Sequence, residues 1–413
     1  MKNFSAPRGT FDILPPDSKR WQALERRIDD VCSRFGYGEI RTPIFESTDV
    51  FVRTLGETTD VVDKEMYTFV DRGGRSITLR PELTAPAVRA VLEHDLLRTP
   101  PVKLYYRGAF FRYERPQKGR FRQAHQFGVE CFGVEGPEAD AEVIVLALEV
   151  IRRSGISEVT LEVNSMGCAT CRADYRAALV AYLDAHRDAL SETSQQRLAR
   201  NPLRILDSKD EGDKRINAEA PNFADYLTPE AKDFFAEVCA GLTTLGIKYM
   251  LNPRLVRGLD YYCHTAFEFI TTSLGAQGTV LGGGRYDGLM GVMGGPETPG
   301  VGWAAGIERL ALLIEEPPAP PRAIALVPLG KPAELLALQL AQSLRRAGFH
   351  IELGYSGNLS RRLQRANKIK ARAAVILGEN EIAKQVATVR DLDSGEQAEI
   401  PLASLTEWLA AFR

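Results

Sequence analysis

Between residues 17 and 35 apolar side chains return at Trp21, Leu24, Ile28 and Val31, the spacing of one face of a helix, and Pro15-Pro16 stand where its first turn should open. The period then changes. Short apolar runs at 66–70 and 76–79 flank Asp71-Arg72-Gly73-Gly74-Arg75, which predicts a hairpin, and runs at 103–112 and 126–132 flank a polar, basic loop. Successive hairpins predict an antiparallel sheet. The stretch 168–249 is helix-rich and interrupts this strand series, so it reads as an insertion. Strands resume at 259–271 and 278–281, and a helix is expected to begin near Trp303.

A proline-rich run, Glu315-Glu316-Pro317-Pro318-Ala319-Pro320-Pro321, can neither continue a helix nor join a central strand and reads as a linker. Beyond it a strand (323–329), a helix (332–347), a strand (350–355), a basic helix (359–369) and a strand (373–377) alternate, as in a small α/β domain. The expected organisation is an α+β domain on an antiparallel sheet (1–167 and 250–316), a helical insertion (168–249), a linker (317–321) and a C-terminal α/β domain (322–413).

The composition of the 413 residues, 44% hydrophobic and 26% charged, is that of a globular chain. No apolar run reaches the roughly 18 to 20 residues that span a bilayer, and the first residues have no signal-peptide core, so a cytoplasmic protein without a membrane partner is expected. The net charge of −2 is unevenly spread. From Arg322 onward 13 Lys and Arg face 9 Asp and Glu, while the remainder carries 39 against 45. A basic tail on an acidic body suits contact with nucleic acid. Six scattered cysteines read as reduced thiols; Cys168 and Cys171 form a lone C-x-x-C, for which a local turn or packing role is preferred to zinc, and no metal is assigned. Neither a P-loop nor a dinucleotide fingerprint is present, since Gly282-Gly283-Gly284 lacks both the spacing and the following lysine.

The richest chemistry lies in Phe110-Phe111-Arg112-Tyr113-Glu114-Arg115-Pro116-Gln117-Lys118-Gly119-Arg120-Phe121-Arg122-Gln123, where five cations fall within eleven residues. Such a run is often only a solvated face. Arg112, however, lies on an apolar strand, where a buried guanidinium needs a partner, and a phosphate can accept its planar fork.

This segment resembles motif 2 of class II aminoacyl-tRNA synthetases, and its wording is similar to that of the histidyl-tRNA synthetases. Leu255-Val256-Arg257-Gly258-Leu259-Asp260-Tyr261-Tyr262 resembles the signature of that family, and Gly302-Trp303-Ala304-Ala305-Gly306-Ile307-Glu308-Arg309-Leu310 resembles motif 3. Arg8-Gly9-Thr10-Asp12 and Gly36-Tyr37 to Pro43 look like the amino-terminal region and motif 1. The resemblance covers essentially the whole chain. It implies activation of histidine with ATP to histidyl-adenylate and transfer to tRNA(His), ATP with Mg²⁺ as co-substrate, no tightly bound cofactor, a homodimer, and an anticodon-binding role for the C-terminal domain.

Residue by residue, the resemblance implies that Arg112 and Arg257 flank the α-phosphate, with Glu114, Arg120 and Arg309 completing the ATP site. Arg80-Pro81-Glu82-Leu83-Thr84 resembles the family's ammonium-binding segment, so Glu82, Leu83 and Thr84, with Gln126, are expected around the amino acid. Glu130 and Tyr262 would hydrogen-bond the two imidazole nitrogens and Tyr261 would shape the pocket. A carboxylate and a phenol can satisfy both imidazole edges and leave unpaired partners for an apolar isostere. An exposed strand acid is the plainer alternative for Glu130. His125 and His264 are read as structural. In the tail, Arg361, Arg362, Arg365 and Lys368 are the candidates for tRNA; a solvated helix is the alternative. The chain departs from the family at Ala124, where a phenylalanine usually stacks on adenine, and weaker ATP binding is expected. The rival function is a catalytically inactive, synthetase-like regulatory subunit of ATP phosphoribosyltransferase; such proteins usually lack both the Arg-Gly-Leu-Asp-Tyr-Tyr signature and the C-terminal domain present here.

Overall fold

The computed structural model describes residues 4–56, 59, 61–117, 119–206, 208–256, 261–274, 278–315 and 321–412. Two compact units divide the chain, Met1–Pro317 and Pro318–Arg413. Apart from Pro321, the expected linker lies outside the described residues.

Helix α1 (Pro15–Arg34) opens on its prolines, and Trp21, Leu24, Ile28 and Val31 are all buried. β1 (Gly38–Glu39), β2 (Phe45–Ser47) and α2 (Thr48–Leu55) follow. β3 (Tyr67–Val70) and β4 (Ser76–Leu79) form the expected hairpin, whose turn is held by Asp71 Oδ1 accepting the N–H groups of Gly73 at 2.8 Å and Arg75 at 2.9 Å. β2 joins it in the order β2-β4-β3. After α3 (Thr84–Glu93) come the long antiparallel strands β5 (Val102–Phe111) and β6 (Gln123–Phe132), then α4 (Glu138–Arg153) and β7 (Thr160–Ser165).

The interrupting stretch is helical, with α5 (Ala169–Ala185), α6 (Glu192–Arg200), α7 (Glu211–Ala218) and α8 (Pro229–Thr244). α5 to α7 share a core of their own around Tyr175, Leu179, Leu183 and Phe223, whereas Val238 and Leu242 of α8 join the main core. β8 (Met250–Leu251), β9 (Cys263–Ile270), β10 (Thr279–Arg285), α9 (Leu289–Val292), β11 (Gly300–Gly306) and α10 (Ile307–Leu313) complete the unit. Eight described strands make one sheet in the order β1-β5-β6-β11-β10-β9-β7-β8. Its interior pairs are antiparallel, and only the edge pairs β1·β5 and β7·β8 are parallel.

Period-two alternation divides the two faces of this sheet. Phe127, Val129, Cys131, Val301, Trp303, Phe267 and Phe269 face a core closed by α1, α4 and α10. The opposite face carries Gln126, Gly128, Glu130, Gly302, Ala304 and Glu268. The helix expected near Trp303 instead begins at Ile307, with Trp303 in the middle of β11, where its indole donates to the Val143 carbonyl at 3.0 Å. The reason is steric: a Cβ at Gly302 would overlap the Glu130 carboxylate and the Val129 carbonyl, so the small residues of this run let β11 lie against β6.

In the second unit β12 (Ile324–Pro328), α11 (Lys331–Arg346), β13 (Ile351–Leu353), α12 (Leu359–Lys368), β14 (Ala373–Leu377), α13 (Glu379–Ala383), β15 (Val386–Asp391) and β16 (Gln397–Pro401) give a sheet ordered β13-β12-β14-β15-β16. β12 pairs in parallel with β13 and β14, while β15 and β16 are antiparallel. Its central strands are buried on both faces, by Ala333, Ala337 and Ala341 of α11 on one and by Ala366 and Leu363 of α12 on the other. Among the described residues no helix is long and apolar enough to cross a membrane.

Candidate active site

The polar face of the large sheet is the floor of a cavity of about 1080 Å³. Small residues on β10 and β11 (Gly282, Gly302, Ala304) keep that floor low, and larger polar side chains rise at either end of it.

At one end Glu130 is 1% exposed. Tyr106 donates to its Oε1 at 2.8 Å and Tyr286 donates to its Oε2. Thr84 Oγ1 lies 3.1 Å from the Tyr106 hydroxyl. Burial pushes the Glu130 carboxyl up to about 8, even though both phenols favour its charged form. The same burial, with the carboxylate close by, drives the hydroxyls of Tyr106 and Tyr286 well above the ordinary tyrosine range, so both remain donors. Tyr261 and Tyr262 complete an aromatic wall, their rings 4.7 Å apart and 5.6 and 6.2 Å from that of Tyr286.

Beside this wall Glu82 caps the first turn of α3, accepting the N–H groups of Thr84 at 2.6 Å and Ala85 at 2.8 Å. Burial raises its carboxyl, against the pull of those two donors. Leu83 is buried and gives its N–H to Gln126 Oε1 at 3.0 Å, which fixes the amide that points into the cavity. Buried Arg80 ties this corner down through the carbonyls of Ala109 at 2.7 Å and Thr42 at 2.9 Å.

Cations gather at the other end. Arg112 sits one residue past β5, its Nε bonded to the Pro81 carbonyl at 2.8 Å and its Nη1 3.9 Å from Glu114. Arg120 reaches the same carboxylate at 3.5 Å. Arg309, on α10, donates to the carbonyls of Thr279 at 2.5 Å and Gly119 at 3.5 Å, and burial followed by repulsion from Arg120 lowers its pKa. An acid shared between two arginines beside a third holds the cations in place ahead of any anionic ligand. Ala124 is buried opposite Phe110 and lines the cavity, and the neighbouring Phe121 packs on Phe11 with ring centroids 4.6 Å apart.

Glu82, Thr84, Arg112, Glu114, Arg120, Gln126, Glu130, Tyr261, Tyr262 and Arg309 therefore line one cavity. Arg257 lies outside the described residues, although Val256 and Tyr261 on either side of that gap line it. Tyr106 and Tyr286 went unrecognised in the sequence; Tyr106 lies on β5, two residues before Gly108, and Tyr286 directly follows β10, past the register shift at Gly284 and Arg285. His125 is structural, as expected: Glu308 accepts both its backbone N–H, at 3.0 Å, and its Nδ1, at 2.9 Å. In α12 the expected set divides. Arg361, Arg365 and Lys368 are exposed, but Arg362 is only 7% exposed and donates to the carbonyls of Pro328, of Gly354 at 2.9 Å and of Gly357 at 2.7 Å. It faces the sheet because it lies one turn before buried Ala366.

A family model described as histidyl-tRNA synthetase matches residues 9–310, and one described as anticodon binding domain matches residues 323–412. The histidine–tRNA ligase of Rhodospirillum rubrum is 56% identical over 407 residues, 98% of each chain. That of Gluconobacter oxydans is 51% identical over 414 residues, the whole of each. The apo crystal structure of S. aureus histidyl-tRNA synthetase superposes with a TM-score of 0.82 at 37% identity, covering 98% of this chain and 99% of that one.

Proposed function

This chain belongs to the histidyl-tRNA synthetase family, and on that premise we propose that its cavity forms histidyl-adenylate from histidine and ATP, then passes the histidyl group to the 3′ end of tRNA(His). The activity is that of a histidine–tRNA ligase. The regulatory-subunit alternative is not favoured, because relatives at 56% and 51% identity over nearly the full length are ligases.

The observation that carries the site assignment is the buried carboxylate of Glu130 between two phenol donors. Its remaining lone pairs face the cavity, where an imidazole N–H can take them, while Tyr262 engages the other ring nitrogen and Tyr261 closes the side. Glu82, Thr84 and Gln126 hold the ammonium, in a corner that Leu83 fixes through its N–H. The histidine carboxylate, already ionised, attacks the α-phosphorus and pyrophosphate leaves; no general base is needed. Arg112 and Arg257 stabilise charge gathering on the phosphoryl oxygens, while Arg309 and the Arg120–Glu114 pair position the rest of ATP. Mg²⁺ arrives on the phosphates of ATP as part of the co-substrate.

The second unit reads the anticodon loop, with exposed Arg361, Arg365 and Lys368 on the RNA backbone. The catalytic domain comprises 1–167 and 250–316, the insertion 168–249 and the anticodon-binding domain 322–413. The protein works in the cytoplasm as a homodimer, for which exposed Ile44, Phe45, Phe69 and Val70, on or beside the three-stranded sheet, offer an apolar surface. ATP–pyrophosphate exchange measured with each standard amino acid tests the reading. Exchange dependent on histidine alone is expected, and no exchange with histidine would overturn it.

A further inference from the structure

Two of the six cysteines are built as a pair, away from the cavity. Cys168 caps the N-terminus of α5, its Sγ accepting the N–H of Cys171 at 3.4 Å and lying 3.1 Å from the Cys171 Sγ. The two differ in access: Cys168 is partly exposed, and Cys171 is fully buried beside Tyr175 and Leu179. This is the asymmetry of an attacking thiol outside and a resolving thiol within. Partial burial opposes ionisation of Cys168, but hydrogen bonds from the Cys171 backbone, the Cys171 thiol and the Thr170 backbone outweigh it and hold this thiol below its ordinary value.

The turn before the pair is made to fit it. Gly167 has φ +55°, and a Cβ there would come within 2.9 Å of Leu227 and 3.0 Å of the Cys171 sulfur, so only glycine lets the backbone fold across that thiol. Zinc would need further ligands; the one described cluster of metal-ligating side chains, Cys263, His264 and Asp287, includes neither sulfur.

The pair is also tied to the active site. Arg172, the next residue after Cys171, donates to the Tyr262 carbonyl at 2.6 Å, and the Cys171 Sγ accepts the N–H of Thr228 at 3.4 Å, at the start of α8. Gly167 accepts the N–H of His264, two residues past Tyr262, at 2.8 Å.

We propose that Cys168 and Cys171 form a reversible thiol–disulfide pair, oxidised by low-molecular-weight disulfides, whose state is read by the histidine pocket through Arg172 and Tyr262. The Cys168 thiolate attacks one sulfur of the disulfide, whose S–S bond breaks; a mixed disulfide forms and one small thiolate leaves. Cys171 then gives up its proton and attacks the Cys168 sulfur, expelling the second small thiolate. Two electrons pass from the two cysteines to the small disulfide, which becomes two thiols. The sulfurs close from 3.1 Å to about 2.04 Å, within reach of side-chain rotation. This closure draws on the first turn of α5, from which Arg172 holds the Tyr262 backbone. The link to histidine rests on the function proposed above.

The full-length protein, equilibrated with reduced and oxidised glutathione, alkylated and peptide-mapped, tests the pairing. An intrachain 168–171 disulfide that dithiothreitol reverses is expected, with Cys171→Ser stopping at a glutathione adduct on Cys168 and Cys168→Ser or Cys168→Ala forming neither. Both thiols remaining alkylatable, or glutathione staying on wild-type Cys168, would overturn it. Histidine should bind the oxidised protein with a Kd raised about 5-fold or more by calorimetric titration, and saturating histidine should shift the dithiol–disulfide equilibrium by the same factor. A disulfide that forms and moves neither quantity overturns the link to the pocket. Absence of pyrophosphate exchange by the reduced protein would instead count against the function, and mapping would still decide the pairing.

Discussion

Replacing Glu130 by glutamine should move stability and histidine affinity in opposite directions. In the free enzyme burial pushes this carboxyl up to about 8, whereas in an unfolded chain it titrates near about 4.3. Between those values the native state holds a proton that the unfolded state has lost, so stability falls as pH rises through this window, and the loss is complete above about 8. Each pH unit is worth about 1.4 kcal/mol, so the charged form costs on the order of a few kcal/mol. Glutamine keeps the shape without a charge to desolvate. One tyrosine can still donate to its oxygen, and the other hydroxyl can rotate to accept from its NH₂ group. At about pH 8.5 the variant should therefore melt several degrees above wild type, and at about pH 4 the two should melt alike. Histidine, however, loses a charge-assisted hydrogen bond worth about 1.5–3 kcal/mol, which is about a 10- to 150-fold rise in its KM. Calorimetry across pH and pyrophosphate exchange with varied histidine measure the two effects. A variant that melts below wild type at the higher pH, or keeps its histidine KM within about twofold, refutes the reasoning.

Ala124→Phe should supply the missing adenine-stacking face and lower the KM for ATP about 5- to 150-fold, from the ~1–3 kcal/mol of a stacked base, with near-normal turnover; an unchanged KM counts against the expected deficit. Arg257→Ala should slow adenylate formation about 10³-fold or more in single-turnover assays with little effect on histidine binding, and equal losses in both would remove it from the phosphoryl site. Arg285 and Asp140 form an ion pair with side-chain exposures of 1% and 0%, so Arg285→Met, which strands the carboxylate, should cost about 3–5 kcal/mol in urea unfolding, and a variant as stable as wild type would show that the pair contributes nothing. Arg362→Ala should destabilise the second unit by about 1–3 kcal/mol by unpairing three carbonyls, whereas Arg365→Ala should leave folding intact and weaken tRNA binding; the reverse pattern would restore Arg362 to the RNA surface.

How far the site was legible depends on the range over which each residue's reason acts. The β3–β4 hairpin and α1 were readable because their patterns are local, with a period of two about a glycine turn and apolar returns every third or fourth position. Arg112, Glu114, Arg120 and Glu130 were readable from motif wording, and the cavity brings them together. Tyr106 and Tyr286 were not, because they meet Glu130 only once distant segments are brought together, across separations of 24 and 156 residues. The misplaced helix near Trp303 has the same origin. Read alone, Gly300–Gly306 gives no sign of the buried carboxylate beside it, and Gly302 is explained by Glu130 and the Val129 carbonyl on the next strand. Arg362 is the instructive contrast. Its inward face was already present in its one-turn spacing from Ala366, but a run of cations draws attention to charge and away from periodicity. Burial settles the matter: a guanidinium donating to three carbonyls is spent on the fold, and only its exposed neighbours remain to meet a phosphate.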